Sequence, residues 1–131
     1  MTLHISSKVL DAMKAAAASA APLECCGILL GSGDTIIGAV PTANVHPLPA
    51  AHFEIDPAAL ISAYRDERGG GPAIAGFYHS HPNGVAVPSA TDAAMAAHDG
   101  RIWAIIGAGN IRFWRDESTG FNELSYAAIT G

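Results

Sequence analysis

Apolar positions recur along this chain in two rhythms. Val9, Leu10, Met13 and Ala17 fall at helical spacing, and Ser6 or Ser7 stands ready as a cap, so a helix is predicted through about Ala20, ended by Pro22. The nearly unbroken apolar run from Glu24 to Gly31 predicts a strand buried on both faces. Gly31-Ser32-Gly33-Asp34 then turns the chain into a second strand, Thr35 to Thr42, which completes a hairpin. Ahead of these, Leu3 to Ile5 reads as a short edge strand. Prolines mark Asn44 to Ala51 as a surface loop, and His52 to Ile55 reads as a brief strand. Asp56 followed by Pro57 opens a helix to about Arg68, closed by Gly69-Gly70-Gly71-Pro72. Near the C-terminus, Ile102–Gly107, Asn110–Asp116 and Phe121–Tyr126 are three further strands, set off by glycine turns. With strands and helices in mixed order, no repeat and no linker, residues 1–131 are expected to form one α/β domain, a central mixed β-sheet flanked by helices.

Composition narrows the class. Half of the 131 residues are hydrophobic and 15% are charged, which excludes a disordered chain. The formal net charge of −5 leaves no basic stripe for phosphates, so neither nucleic acid nor an anionic membrane is an expected partner. No apolar run reaches the ~18 residues needed to span a bilayer. Asp11 and Lys14 interrupt any signal-like core ahead of the alanines at 15–21. Cys25 and Cys26 are adjacent, where a bridge would be strained, and a reducing cytoplasm fits two such thiols.

The chemistry concentrates between Gly76 and Asp92. A β-branched and aromatic approach from Ile74 to Tyr78 predicts a strand, so His79 and His81 share a face with Cα atoms ~6.6 Å apart at ~3.3 Å per residue. Pro82 stops the ladder, Asn83-Gly84 turns the chain, and Ser89 is a good N-cap for a short helix running from about Ala93 to His98. Asp92 falls in that helix's first turn, where Ser89-Ala90-Thr91-Asp92 is an acidic variant of the capping box. A solvated His-x-His and a plain helix cap would account for the same residues. Two histidines and one carboxylate, however, also make a catalytic zinc set with a fourth position left for water.

The whole pattern, His79-Ser80-His81-Pro82, then Pro88-Ser89-Ala90-Thr91-Asp92, with Glu24 far upstream in Glu24-Cys25-Cys26-Gly27, resembles the signature of the JAMM metalloproteases, or MPN-plus domains. The resemblance implies a cytidine-deaminase-like fold and a zinc-dependent peptidase or isopeptidase. It implies that His79, His81 and Asp92 hold Zn2+. Glu24 would take a proton from the attacking water and pass it to the leaving amine, and Ser89 would donate its hydroxyl to the tetrahedral oxyanion. Judged alone, Glu24 would be expected at a strand mouth in water, since a buried, unpartnered carboxylate costs several kcal/mol.

The compact chain looks most like small bacterial members of that family. Their resemblance implies a ubiquitin-like or sulfur-carrier protein as substrate, cut at an amide near its C-terminus, in some cases releasing an attached amino acid such as cysteine. An extended tail of that kind could add a strand at a sheet edge near the metal, with Asn44 to Phe53 as the other wall. Two rival classes are a non-catalytic MPN interaction module and a zinc hydrolase of small-molecule amides. The zinc-deaminase pattern, His-x-Glu with Pro-Cys-x-x-Cys, is absent. His4, His46, His52 and His98 stand at no ligand spacing, although His46 and His52 are placed to line a groove. Cys26 reads as a packed small hydrophobe, and Trp103, Phe113 and Trp114 as strand packing.

Overall fold

The computed structural model describes residues 2–131. In chain order the elements are β1 (Thr2–Ser6), α1 (Ser7–Ala20), β2 (Cys26–Ser32), β3 (Thr35–Thr42), α2 (Pro57–Arg68), β4 (Ile74–His81), α3 (Ala90–Met95), β5 (Ile102–Gly107), β6 (Asn110–Glu117) and β7 (Gly120–Ile129). The strands form one mixed sheet that closes on itself in the order β1-β3-β2-β4-β5-β6-β7. Among the described residues, no helix is long and apolar enough to cross a membrane.

Closure corrects the expected place of β1. It is not an edge strand: it runs parallel to β7 over five residue pairs and parallel to β3 at His4 and Ile5. Every strand therefore has a neighbour on each side, but β1 meets only Thr35 and Ile36 of β3, so among the described residues the outer side of β3 from Ile37 to Thr42, which ends opposite Cys26, pairs no strand. Ser6 is at the N-cap position of α1 but makes no capping bond; its hydroxyl donates to the Gly131 carbonyl instead. The end of the chain arrives there because β7 lies alongside β1.

The apolar face of α1, Val9, Leu10 and Met13, packs into the main core with Leu3, Ile5, Leu29, Ile36, Tyr78, Ala104 and Phe113. Strand β5 is buried at all six positions, as expected for a strand covered on both faces. Its even-numbered Ile102, Ala104 and Ile106 enter this core, while Trp103 turns to a second cluster with Cys26 and Phe53. The same alternation in β4 sends Tyr78 to the main core and His79 to the side of Phe53 and Trp103.

Helix α2 starts at the expected place, with the Asp56 carboxylate accepting from the Ala58 N–H at 3.0 Å. The expected strand at His52–Ile55 reduces to one bridge, Ile55 to Asn44. The physical reason is the Asn44 side chain, which bonds the His52 carbonyl and the Glu54 N–H that a ladder would otherwise have used. Helix α3 begins at Ala90 and ends at Met95, earlier than expected, and the chain reaches Gly100 through His98 at φ 55°.

Between β4 and β5 the backbones approach so closely at Gly76 that a Cβ there would lie 1.8 Å from the Ile102 carbonyl oxygen. Gly76→Ala is expected to cost about 1–3 kcal/mol or more by forcing the two strands apart. Urea denaturation reads this directly, and an unchanged midpoint would mean that the parallel pairing is looser than this.

Candidate metal centre

Strand β4 carries the two histidines because it is paired along both sides. It runs antiparallel to β2, with His79 opposite Cys26, and parallel to β5, with His79 opposite Ile105 and His81 opposite Gly107. Alternation then puts both imidazoles on one face. Their Nε2 atoms stand 3.1 Å apart. Asp92 reaches the same point from α3: its Oδ1 is 3.1 Å from the His79 Nε2 and its Oδ2 is 3.2 Å from the His81 Nε2. Donors held at 2.0–2.1 Å around a tetrahedral ion are separated by about 3.3 Å, so the three observed spacings fit a single divalent cation. Among the described residues this is the one group of three metal-ligating side chains that converges.

Each donor is also held from behind. The backbone N–H of Ser89 donates to the Asp92 Oδ2 at 2.9 Å, and the Asp92 N–H donates to the Ser89 Oγ at 3.0 Å, completing the capping box. Capping and ligation are thus compatible, because the carboxylate has lone pairs for both. The His81 Nδ1 lies 2.9 Å from the Val85 carbonyl, which accepts only from a protonated Nδ1 and so leaves the Nε2 lone pair for a metal. His79 is 1% exposed, stacked on Phe53 at 4.2 Å and 16° and met edge-on by Trp103 at 5.7 Å.

The three donors are shifted in different directions. Burial pulls His79 below the ordinary imidazole range and outweighs its bonds to Asp92. His81 is shifted upward, first by its bond to Asp92. For Asp92, burial pushes upward, but the bonds from both imidazoles outweigh it and hold the carboxyl well below the usual carboxylate range.

Glu24 lies just ahead of β2, not on it. The Ser80 N–H donates to the Cys25 carbonyl, and the Cys25 N–H donates to the Ser80 Oγ, continuing the β2–β4 alignment past the end of the strand. One further step sets Glu24 beside His81. Contrary to the expectation of a solvated strand mouth, Glu24 is only 7% exposed. Burial pushes its carboxyl up to about 7, with the His81 charge drawing it partly back and Asp92 adding to the rise.

The remaining expectations sort cleanly. Cys25 and Cys26 are both free and buried, and burial pushes both thiols up, which disfavours a thiolate nucleophile. His46 and His52 stack on one another at 4.7 Å in the loop beside Glu24, while His98 meets Asp116 at 3.5 Å. None of them joins the metal-ligating group. Trp103 is a strand residue as expected, yet its ring also walls His79. Phe53 had no local sequence signal, because its role depends on a contact with His79 far along the chain, and the Val85 carbonyl, though only four residues past His81, is a backbone group that residue type does not announce.

Residues 6–117 match the family described as prokaryotic homologs of the JAB domain. The chain belongs to that family. Within it, the chain is 37% identical to the desampylase of Haloferax volcanii over 123 residues, covering 91% of this chain and 88% of that protein. It is 33% identical to a probable TtuB-protein conjugate cleaving protease of Thermus thermophilus over 92 residues, 70% of this chain and 62% of that protein. The JAB1/MPN domain protein of Archaeoglobus fulgidus has the same fold, with a TM-score of 0.62 at 21% identity over 96% of this chain and 97% of that one. The α/β architecture expected from the sequence is therefore the JAB/MPN fold, its mixed sheet closed into a barrel.

The position of Glu24 generates a pH prediction for protein stripped of metal. Because the folded state holds the Glu24 proton more tightly than the unfolded chain does, this group's contribution to stability is intact below about 4.5 and is lost as pH rises through about 7. Gln mimics the protonated acid, so Glu24→Gln should gain thermal stability over the parent as pH rises from 5 to 8. A difference in melting temperature that is flat across this range would mean that Glu24 is not buried as described.

Proposed function

We propose that this JAB-family protein is a zinc-dependent hydrolase that cleaves an amide at the C-terminus of a ubiquitin-like or sulfur-carrier protein. The observation that carries the reading is the convergence of His79, His81 and Asp92 at tetrahedral donor spacing beside a buried Glu24. Two relatives bear names for conjugate-cleaving activity, desampylase and TtuB-protein conjugate cleaving protease, which supports a ubiquitin-like partner. A non-catalytic module would have no use for a complete ligand set or for a carboxylate buried next to it.

His79, His81 and Asp92 are the proposed zinc ligands. Two neutral-donor imidazoles and one carboxylate are a borderline-soft set that suits zinc and leaves a position open. Zinc, when bound, supplies Lewis acidity at the scissile carbonyl and lowers the pKa of water from 15.7 toward about 7. Glu24, whose carboxyl burial raises above the ordinary carboxylate range, is placed to take the proton from the attacking water and to release it to the leaving amine. Ser89 uses its oxygen to accept from the Asp92 N–H, which leaves its own hydroxyl proton to give to the developing oxyanion. Two recesses share walls with the centre, one through His81 and one through the Phe53 and Trp103 that pack on His79. One of about 370 Å3 is lined by Lys14, Ala17, Ser80, His81, Pro82 and Gly107, and one of about 360 Å3 by Phe53, Leu60, Phe77, Met95 and Trp103. They are the proposed seats for chain on either side of the scissile bond. The two free thiols suit a reducing cytoplasm.

Mass spectrometry of a ubiquitin-like carrier bearing an isopeptide-linked or appended C-terminal residue tests the activity, with loss of that group expected and a chelator expected to block it. No release from either substrate class would refute the reading. Elemental analysis should find close to one zinc per chain, lost in His79→Ala and in Asp92→Ala.

Glu24→Gln should keep the metal and lose turnover by about 10²–10⁴-fold. Full activity in that variant would overturn the role of Glu24. Ser89→Ala should lose about 10²–10³-fold in kcat, along with about 1 kcal/mol of stability from the lost cap. A stability loss with unchanged kcat would reduce Ser89 to a capping residue.

A further inference from the structure

Glu24 is not carried by a strand, so something else must fix it. Its backbone N–H donates to the Pro49 carbonyl at 2.8 Å. Its backbone carbonyl accepts from the Asn44 Nδ2 at 3.0 Å. The second Nδ2 hydrogen of Asn44 goes to the His52 carbonyl at 2.9 Å. On the other side of the amide, Oδ1 accepts from the N–H groups of His46 at 3.1 Å and Glu54 at 3.0 Å. Two donors and two acceptor sites are all that a carboxamide has, and here all four are used. The orientation is also determined: a flipped amide would set oxygen against two carbonyls and NH2 against two N–H groups.

From this saturated node we infer that Asn44 is a positioning residue for the reaction, acting through Glu24. It ties the main chain of Glu24 to the loop from Asn44 to Glu54. That same loop delivers Phe53 onto the ring of His79, stacked at 4.2 Å. One side chain thereby fixes the distance between the proton-carrying residue and the metal centre without touching either the substrate or the ligands. No other residue type provides both pairs of bonds at this length: aspartate keeps the two acceptor bonds but has no N–H to give Glu24 or His52, and alanine has neither. The inference rests on the role proposed above for Glu24.

The test uses zinc-loaded protein and a ubiquitin-like conjugate. Asn44→Ala and Asn44→Asp should each lower kcat about 10- to 100-fold, with KM little changed and zinc content intact. The aspartate variant should fall nearly as far as alanine, since the missing donor is what matters. Added to Glu24→Gln, Asn44→Ala should cost nothing further, because the two act as one unit. Hydrogen exchange of the Glu24 amide, followed by NMR, should be faster in both Asn44 variants whether or not any conjugate is turned over. Wild-type kcat in both variants, a full additional loss on top of Glu24→Gln, loss of zinc in step with activity, or unchanged exchange at Glu24 would each overturn it. If the parent protein cleaves no conjugate, the proposed function fails, while the exchange measurement still decides whether Asn44 holds Glu24.

Discussion

The pairing of β4 on both its edges is the constraint from which the site follows. Antiparallel bonds to β2 and parallel bonds to β5 remove any freedom for β4 to slip, and a slip of one residue would turn both histidines into the main core and Tyr78 and Ser80 out of it. The register is enforced from the hydrophobic side. Tyr78 is buried among Leu29, Ala104 and Phe113, and that burial outweighs any local preference of the two imidazoles. A rigid ladder is also what a metal centre needs, since donors that must first be ordered lose part of the binding free energy to conformational entropy.

Around this frame, two carboxylates in one small space are driven in opposite directions. Asp92 is held well below the usual carboxylate range because two imidazoles and the Ser89 N–H face its oxygens. Among the described residues no comparable donor reaches the Glu24 carboxylate, and burial pushes it up to about 7. Where two acids are pushed apart by their environments, one is suited to hold a cation and the other to move a proton. The division of labour comes from placement alone, from a residue inside a capped helix turn against one just outside a strand.

Much of this was legible in the sequence because it is local. The spacing of His79 and His81, the stop at Pro82 and the cap at Ser89 act within a few residues, and the hairpin of β2 and β3 is announced by Gly31-Ser32-Gly33-Asp34. What was not legible depends on pairings between distant segments. That Trp103 walls His79 follows from the parallel register of β4 and β5, and that β1 closes the barrel follows from where β7 arrives at the end of the chain. The buried state of Glu24 belongs to the same class, since its cover comes from a loop twenty and more residues away. At His52–Ile55 the strand expectation gave way to a side chain, because an asparagine that bonds backbone groups competes with a ladder for them.

The site is thus assembled on two kinds of support. The metal-ligating side chains stand on a doubly paired strand and a capped helix, elements whose opening requires breaking many bonds at once. Glu24 stands outside the strand, tied to a loop, where opening requires far fewer. The converging donors and Glu24 therefore stand on different parts of one small barrel. A disturbance of the loop should leave His79, His81 and Asp92 in place while displacing Glu24. A disturbance of β4 should remove both together. The fold thus sets the three converging donors on paired and capped elements and the neighbouring carboxylate on a stretch of chain that is neither strand nor helix.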